Sequence, residues 1–204
     1  GQRKRLIPSP AGKYWRTMTP KVITPPAAAL SLEQLRRHCR IDPPDSANDA
    51  DTDLSAALAA AHAHAQHYTG ISIGVQTLEL ALDEFPAAGI QLLQGPVSSI
   101  TSVTYLDANG ASQVLSSGAY RLNDYTTPQE LLPIVDTEWP DTYPDVNAVK
   151  IRYVAGAASI DGAVAQALRL LVGLYFAARE ASDKDAQIEI PFGVTTLLNT
   201  VKVY

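Results

Sequence analysis

The sequence predicts an α+β protein in which a helical core, built from both ends of the chain, carries an inserted small antiparallel β-module. Apolar residues recur at helical spacing near both ends, whereas they alternate with polar residues in the middle. A length of 204 residues with 46% hydrophobic residues suits one globular domain, or one domain that carries an insertion. We therefore divide the chain into an arm (1–30), a helical core (31–74 and 156–204) and a β-module (75–155).

Residues 1–30 are predicted to form a basic, proline-rich arm. Its five prolines exclude a continuous helix: Pro8, Pro10, Pro20, Pro25 and Pro26. The arm carries six bases and no acid, whereas the rest of the chain has ten bases against 21 acids, a net charge of −11. Such an arm can bind nucleic acid, an acidic protein surface or a neighbouring copy, and a leader without a binding role is the alternative.

Two helices are predicted after the arm. Ser31 and Gln34 form a capping box at the start of the first helix, which Pro43 and Pro44 are expected to end. The second helix is longer, and Gly70 fits its C-terminal cap. Its apolar residues recur every three or four positions: Leu54, Leu58, Ala61, Ala65 and Tyr68.

The β-module is predicted from a change of period to two. QTLELALD (76–83) alternates apolar and polar residues, and IQLL (90–93) reads as another short strand. Asn109-Gly110 is a strong hairpin signal within SITSVTYLDANGASQVL. Further short strands are predicted for GAYRL, ELLPIV and AVKIRYVAG, which are separated by Pro, Asp and Gly.

The chain is predicted to finish on two more helices. Asp161 caps a long helix over about 162–181 that is apolar on most sides, which predicts burial within the subunit or between subunits. A short final helix is predicted over 193–200, after Pro191. An apolar chain end is unusual, because chain ends in water are usually polar and frayed.

No segment predicts an active site, a metal site or a cofactor site. Residues 70–74 (GISIG) match the nucleophile-elbow pattern, but a helix precedes them, a strand follows and all four histidines come earlier. Residues 49–53 resemble the start of a calcium loop, but Leu54 stands where that loop needs Gly. His64 and His67 lie one helical turn apart without a partnering Cys or third close His. Because these motifs are incomplete, we expect no enzyme. We also expect no membrane protein, since no apolar run reaches the roughly 18 residues that a membrane-spanning helix needs.

The order and spacing of several segments carry a family resemblance. These segments are SLEQLRRHCRID, a helix ending in YTG, VQTLELALDEFP, GPVSSITSVTYLDANG, AYRL, WP, AVKIRYVAG, a helix ending in YFAAREA, and PFGV. Over about residues 22–204, this ordered set resembles the head–tail connector (adaptor) proteins of long-tailed phages and of phage-derived gene transfer agents. The first 20 residues match nothing in that family.

This resemblance implies a structural virion protein without catalytic residues. Connectors of this family form a homo-oligomeric ring, usually of twelve copies, beneath the portal protein in the neck at the capsid–tail junction. The ring extends the DNA channel and receives a stopper or tail-completion protein, and assembly takes place in the host cytoplasm. An acidic body suits such a conduit, because its negative charge repels the phosphates of the passing DNA. The resemblance implies no sequence-specific binding of DNA.

Two sets of residues are expected to bind partners. Residues 191–204 are expected to leave the subunit's own core and pack on the portal or an adjacent copy, through Phe192, Val194, Leu197, Leu198 and Val201. Arg3, Lys4 and Arg5 are expected to contact an acidic surface of a neighbouring protein. For the apolar set, the alternative is that these side chains cover the subunit's own core.

Two other functions are open at this stage. A glycan- or receptor-binding protein of a virion would use the β-module as its recognition surface, with Trp139, Tyr125 and Tyr143 as stacking residues. A hydrolase would use Ser72 as its nucleophile.

Overall fold

The helices come from both ends of the chain and the strands mainly from its middle, so the predicted α+β class is confirmed. The computed structural model describes residues 19–41, 49–178 and 190–203. Its helices are α1 (Leu32–Cys39), α2 (Asp49–Thr69), α3 (Gly162–Ala178) and α4 (Phe192–Asn199). Its strands are β1 (Lys21–Thr24), β2 (Gln76–Leu82), β3 (Ile90–Leu92), β4 (Val97–Leu106), β5 (Ser112–Val114), β6 (Tyr120–Asn123), β7 (Gln129–Pro133) and β8 (Val149–Ala155).

The strands form two antiparallel sheets that share one hydrophobic core. The larger sheet has the order β1-β2-β8-β4-β5, and the smaller sheet has the order β3-β7-β6. Alternate residues of β2 and β8 are buried, as period-two patterning predicts. The largest contributors to this core are Leu78, Leu92, Leu131, Ile151 and Tyr153. The Tyr153 hydroxyl donates a hydrogen bond of 2.7 Å to the Leu93 carbonyl, which satisfies its polar end inside the core.

The predicted hairpin at Asn109-Gly110 is confirmed between β4 and β5. Gly110 has a φ of +81°, which a residue with a side chain rarely adopts. The Asp107 carboxylate accepts hydrogen bonds from the Gln113 amide at 2.9 Å and from the backbone N–H groups of Ala111 and Asn109 at 3.1 and 2.9 Å. These bonds, the one from Gln113 first, lower the pKa of Asp107 because they favour its charged form.

The four helices form a second hydrophobic core, separate from that of the sheets. Its fully buried members include Leu35 of α1, Leu54, Ala61 and Ala65 of α2, and Leu168, Leu171 and Val172 of α3. The predicted capping box at Ser31 and Gln34 is present, and Gly70 closes α2 with a φ of +72°. Asp161 caps α3 by accepting a hydrogen bond of 2.8 Å from the Ala163 N–H. Pro43, Pro44 and residues 179–181 lie outside the described residues.

The described part of the C-terminal segment belongs to this helical core, so the expectation that residues 191–204 leave it is wrong for residues 191–203. Val194 and Leu198 are 0% exposed within the core, and Leu197 and Val201 pack against it. The Val203 N–H donates to the Thr69 carbonyl at 3.0 Å, which ties the segment to the end of α2. The physical reason is the apolar face of α4, whose Val194 and Leu198 are buried where α4 packs on the neighbouring helices α2 and α3.

Part of the predicted arm is also ordered structure. Lys21–Thr24 forms the edge strand β1, and Leu30 is buried in the helical core. Prolines exclude a helix here, but they are compatible with an extended edge strand that ends at Pro25. The expected contact residues Arg3, Lys4 and Arg5 lie outside the described residues.

Candidate functional site

The two connections between the helical core and the β-module touch each other. Gly156, with a φ of +91°, lies so close to Gly74 that an added Cβ would be 2.0 Å from the Gly74 carbonyl oxygen. The Gly156 N–H donates to the Pro96 carbonyl at 2.8 Å, and the Ser72 N–H donates to the Gly95 carbonyl at 2.9 Å. These backbone contacts hold the β-module in one orientation on the helical core.

Ser72 is a structural residue of this junction. Its side chain is buried and donates a hydrogen bond of 2.6 Å to the Gln94 carbonyl, while it accepts one of 2.7 Å from the Gln76 amide. The nearby His62 ring nitrogen lies 2.8 Å from the Ile73 carbonyl oxygen and is therefore directed at the backbone. Among the described residues, the hydrogen-bond partners of the Ser72 side chain are a backbone carbonyl and an amide, neither of which is a general base, so this geometry does not support the hydrolase hypothesis.

The three aromatic residues of the glycan-binding hypothesis do not form one platform. Trp139 stacks on Phe85 at 4.8 Å and packs against the core of the sheets. Tyr143, in the loop before β8, lies beside the end of β4, where its N–H donates to the Leu106 carbonyl. Tyr125 is 97% exposed in the β6–β7 turn, at the other end of the β-module. A binding site for a sugar needs converging aromatic and polar groups, which this arrangement lacks.

The β-module carries a strongly acidic end, which lies away from the junction with the helical core. We define the acidic end as loops 83–89, 107–111 and 134–147, which meet where β2 and β4 finish and β8 begins. It holds no Lys or Arg and seven acids: Asp83, Glu84, Asp107, Asp136, Glu138, Asp141 and Asp145. Sequence reasoning found the acidic balance of the chain but not this concentration, because the three loops are far apart in sequence.

A groove of about 650 Å³ runs along the outer face of the larger sheet up to the acidic end. Its floor includes Ala81, Thr104 and Lys150, and its rim includes Asp83 and Asp145. Beside it, the Arg152 guanidinium pairs with the Glu79 carboxylate at 2.7 Å across β8 and β2. This face is therefore polar and partly charged, in contrast to the buried face of the same strands.

Phe192 is the exposed member of the predicted C-terminal contact set. Its side chain is 85% exposed at the start of α4, and the neighbouring Ile190 is 37% exposed. Val194 and Leu198, later in the same helix, are buried as described above. An exposed Phe beside a second apolar residue is a candidate contact for another protein.

Metal sites and membrane spans are not found within the described ranges. Residues 19–41, 49–178 and 190–203 contain no group of three or more His, Cys, Asp or Glu that could hold a metal ion. His64 instead stacks on Tyr68, with 6.2 Å between the ring centroids. None of the helices described here combines the length and apolar character that crossing a bilayer requires.

Comparison with solved structures finds chains similar over almost their whole length. A chain in the virion of a native gene transfer agent (GTA) particle is 25% identical with a TM-score of 0.72, covering 91% of this chain and 95% of that chain. A chain in the neck of a native GTA particle, computed with C12 symmetry, is 25% identical with a TM-score of 0.70 and the same coverage, 91% and 95%. A chain in the neck of an empty GTA particle, computed with C6 symmetry, is 24% identical with a TM-score of 0.72. No protein-family model and no curated protein matches the chain.

Proposed function

We propose that this chain is a structural protein of a virion neck and acts as a head-to-tail connector (adaptor). The observation that carries the proposal is the likeness to GTA virion and neck chains, which covers 91% of this chain and 95% of theirs at 25% identity. A match of this extent includes both the helical core and the β-module. The likeness supports a structural role rather than an enzymatic one, in agreement with the hydrogen-bonded, buried Ser72.

In the proposed function, copies of the chain form a ring beneath a portal protein. The neck structures with similar chains were computed with C6 and C12 symmetry, which supports a ring of repeated subunits, and we propose twelve copies. The ring would extend the DNA channel and offer the attachment surface for a stopper or tail-completion protein. The net charge of −7 over residues 75–155, from ten acids and three bases, would limit non-specific contact with DNA. Assembly would take place in the host cytoplasm before the tail is attached.

The ring is tested by native mass spectrometry of the purified chain, alone and with its cognate portal protein. We expect a complex that contains twelve copies of the chain when the portal is present, because the portal supplies a circular template. A defined ring that binds the portal supports the proposal. A chain that stays monomeric and unbound at micromolar concentrations of both proteins would contradict it.

For the basic arm, we propose contact between Arg3, Lys4 or Arg5 and an acidic surface of a neighbouring protein. Replacing all three by alanine is expected to leave the melting temperature unchanged and to weaken assembly with the portal. Surface charge pairs are screened as salt rises, with a Debye length of about 10 Å at 0.1 M, so wild-type assembly should also weaken with salt. Assembly is measured by sedimentation at several salt concentrations.

The matched control exchanges the bases for one another: Arg3→Lys, Lys4→Arg and Arg5→Lys. It keeps the charge and should assemble like the wild type. If the alanine variant also assembles like the wild type at every salt concentration, these three bases have no role in assembly.

The glycan- or receptor-binding alternative has one observation in its favour, the 97% exposure of Tyr125. Binding to a glycan array distinguishes the two functions. A Tyr125-dependent signal would favour recognition, whereas a blank array leaves the connector proposal as the supported one.

A further inference from the structure

The groove on the outer face of the larger sheet lies where the N-terminal arm enters the fold. Thr19 and Lys21 both line it. Strand β1 is antiparallel to β2, with Lys21 opposite Glu79 and Thr24 opposite Thr77. Going backwards along the chain from Lys21 therefore leads toward the end of β2, where Asp83 stands. Thr19, the first residue that the structure describes, therefore stands at the groove, on the side of its acidic rim.

The groove offers apolar surface and carboxylate oxygens together, with the carboxylates of Asp83 and Asp145 at one end and the lysines Lys21 and Lys150 also in its lining. Val146 is 63% exposed beside the small Ala81, so a large side chain has both room and apolar contact there. One Asp83 oxygen accepts a hydrogen bond of 2.9 Å from the Asn147 N–H, and one Asp145 oxygen accepts one of 2.8 Å from the Val146 N–H. Asp83 and Asp145 are both exposed residues, and no further side-chain hydrogen bond of either carboxylate is found within the described ranges.

The segment that directly precedes the groove has complementary chemistry. Residues 13–18 read KYWRTM, with two large aromatic residues, Tyr14 and Trp15, between the cations Lys13 and Arg16. Six extended residues span up to about 20 Å, so this segment reaches the groove directly from Thr19. Because the segment is tethered at the groove, its effective concentration there is high, on the order of millimolar.

We propose that residues 13–18 occupy this groove on their own subunit. Tyr14 or Trp15 covers the apolar surface at Ala81 and Val146, and Lys13 and Arg16 face the carboxylates of Asp83 and Asp145. This inference concerns the isolated subunit and is independent of the proposed role in a virion neck.

The test uses fluorescence of Trp15 in a Trp139→Phe variant, where Trp15 is the only tryptophan. Phe at position 139 keeps an aromatic partner for Phe85. We expect Trp15 to be protected from acrylamide quenching in dilute monomer. Adding Asp83→Asn and Asp145→Asn is expected to raise the quenching constant by about threefold, because the bound segment is released.

The matched control is Asp136→Asn with Asp141→Asn, which removes the same charge from acidic-end residues that do not line the groove. It should leave Trp15 protected. Equal quenching in the two double variants would show that the groove carboxylates do not hold the segment. Full exposure of Trp15 in the parent would overturn the proposal, and so would protection that disappears on dilution, which would assign the groove to a second copy.

A second measurement uses the unsubstituted chain, so it does not depend on the folding of a Trp139 variant. Trypsin should cleave after Arg16 about tenfold more slowly than after Arg5, because the protease cannot reach the peptide bond after Arg16 while this segment is bound in the groove. The Asp83→Asn, Asp145→Asn chain should lose this difference, and the Asp136→Asn, Asp141→Asn chain should keep it. Cleavage at equal rates after both arginines in the unsubstituted chain would contradict the proposal.

Discussion

Replacing Gly156 by alanine is expected to lower the free energy of unfolding by about 2–6 kcal/mol, the sum of backbone strain and overpacking. The φ of +91° is strained for any residue with a side chain, and the added Cβ would lie 2.0 Å from the Gly74 carbonyl oxygen. The two nearest atoms to the added Cβ belong to the backbone of Gly74, so the clash cannot be relieved by rotating a side chain. The two connections to the β-module would have to separate.

The measurement is chemical unfolding in urea, with Gly162→Ala as the matched control. Gly162 stands at the start of α3, and an added Cβ there meets nothing within 4 Å. The control should be unchanged or more stable by about 0.4–1 kcal/mol, because alanine restricts the unfolded chain. Two variants of equal stability would mean that the close approach of Gly74 and Gly156 does not hold in solution.

Leu198→Ala is expected to cost about 2–5 kcal/mol of unfolding free energy, as is usual for a leucine truncated inside a core. Leu198 is 0% exposed between the helices, and its removal leaves a cavity. Phe192→Ala, only six residues earlier, should leave the unfolding free energy nearly unchanged, because its side chain is 85% exposed. Thermal melts of the two variants measure this contrast.

Portal binding should respond in the opposite way. Phe192→Ala is expected to weaken binding to the cognate portal, whereas the folded fraction of Leu198→Ala should bind like the wild type. Binding is measured by biolayer interferometry below the melting temperature of both variants. A Phe192→Ala chain that binds normally would show that Phe192 does not contact the portal.

Local signals explain which parts of the fold could be predicted from the sequence. The capping box at Ser31, the alternation in 76–83 and the hairpin at Asn109-Gly110 each depend on residues close together in the chain. The sequence therefore predicts the start of α1, strand β2 and the β4–β5 hairpin at nearly their observed positions. The insertion of strands between helices also followed from the change of period.

What an apolar helix face packs against could not be predicted from such local signals. The pattern of Val194, Leu197 and Leu198 is the same whether the helix covers its own core or a partner, since periodicity identifies a buried face but not what buries it. The observed answer depends on α2 and α3, which are distant in sequence. Edge strand β1 was missed for a similar reason: its pairing signal lies in β2, more than 50 residues further on.

The candidate surfaces were the least predictable part. The acidic end is assembled from three loops separated by strands, and the groove becomes visible only once β1 is placed beside β2. Gly74 and Gly156 could have pointed to the junction between the helical core and the β-module, because each stands at a boundary of the predicted β-module. Their contact required knowledge of both boundaries in space.

The close approach of Gly74 and Gly156 also bears on how the chain tolerates change. Residues 75–155 leave and re-enter the helical core at nearly one point, and the larger sheet has one further link to that core, through β1 and the following Leu30. Loops closed by nearby ends can lengthen at small entropic cost, about 0.6 kcal/mol per doubling. Apart from β2, which must keep its pairing with β1, the strands and loops beyond the junction can therefore be enlarged, trimmed or exchanged in evolution or by design, while the four helices keep their packing.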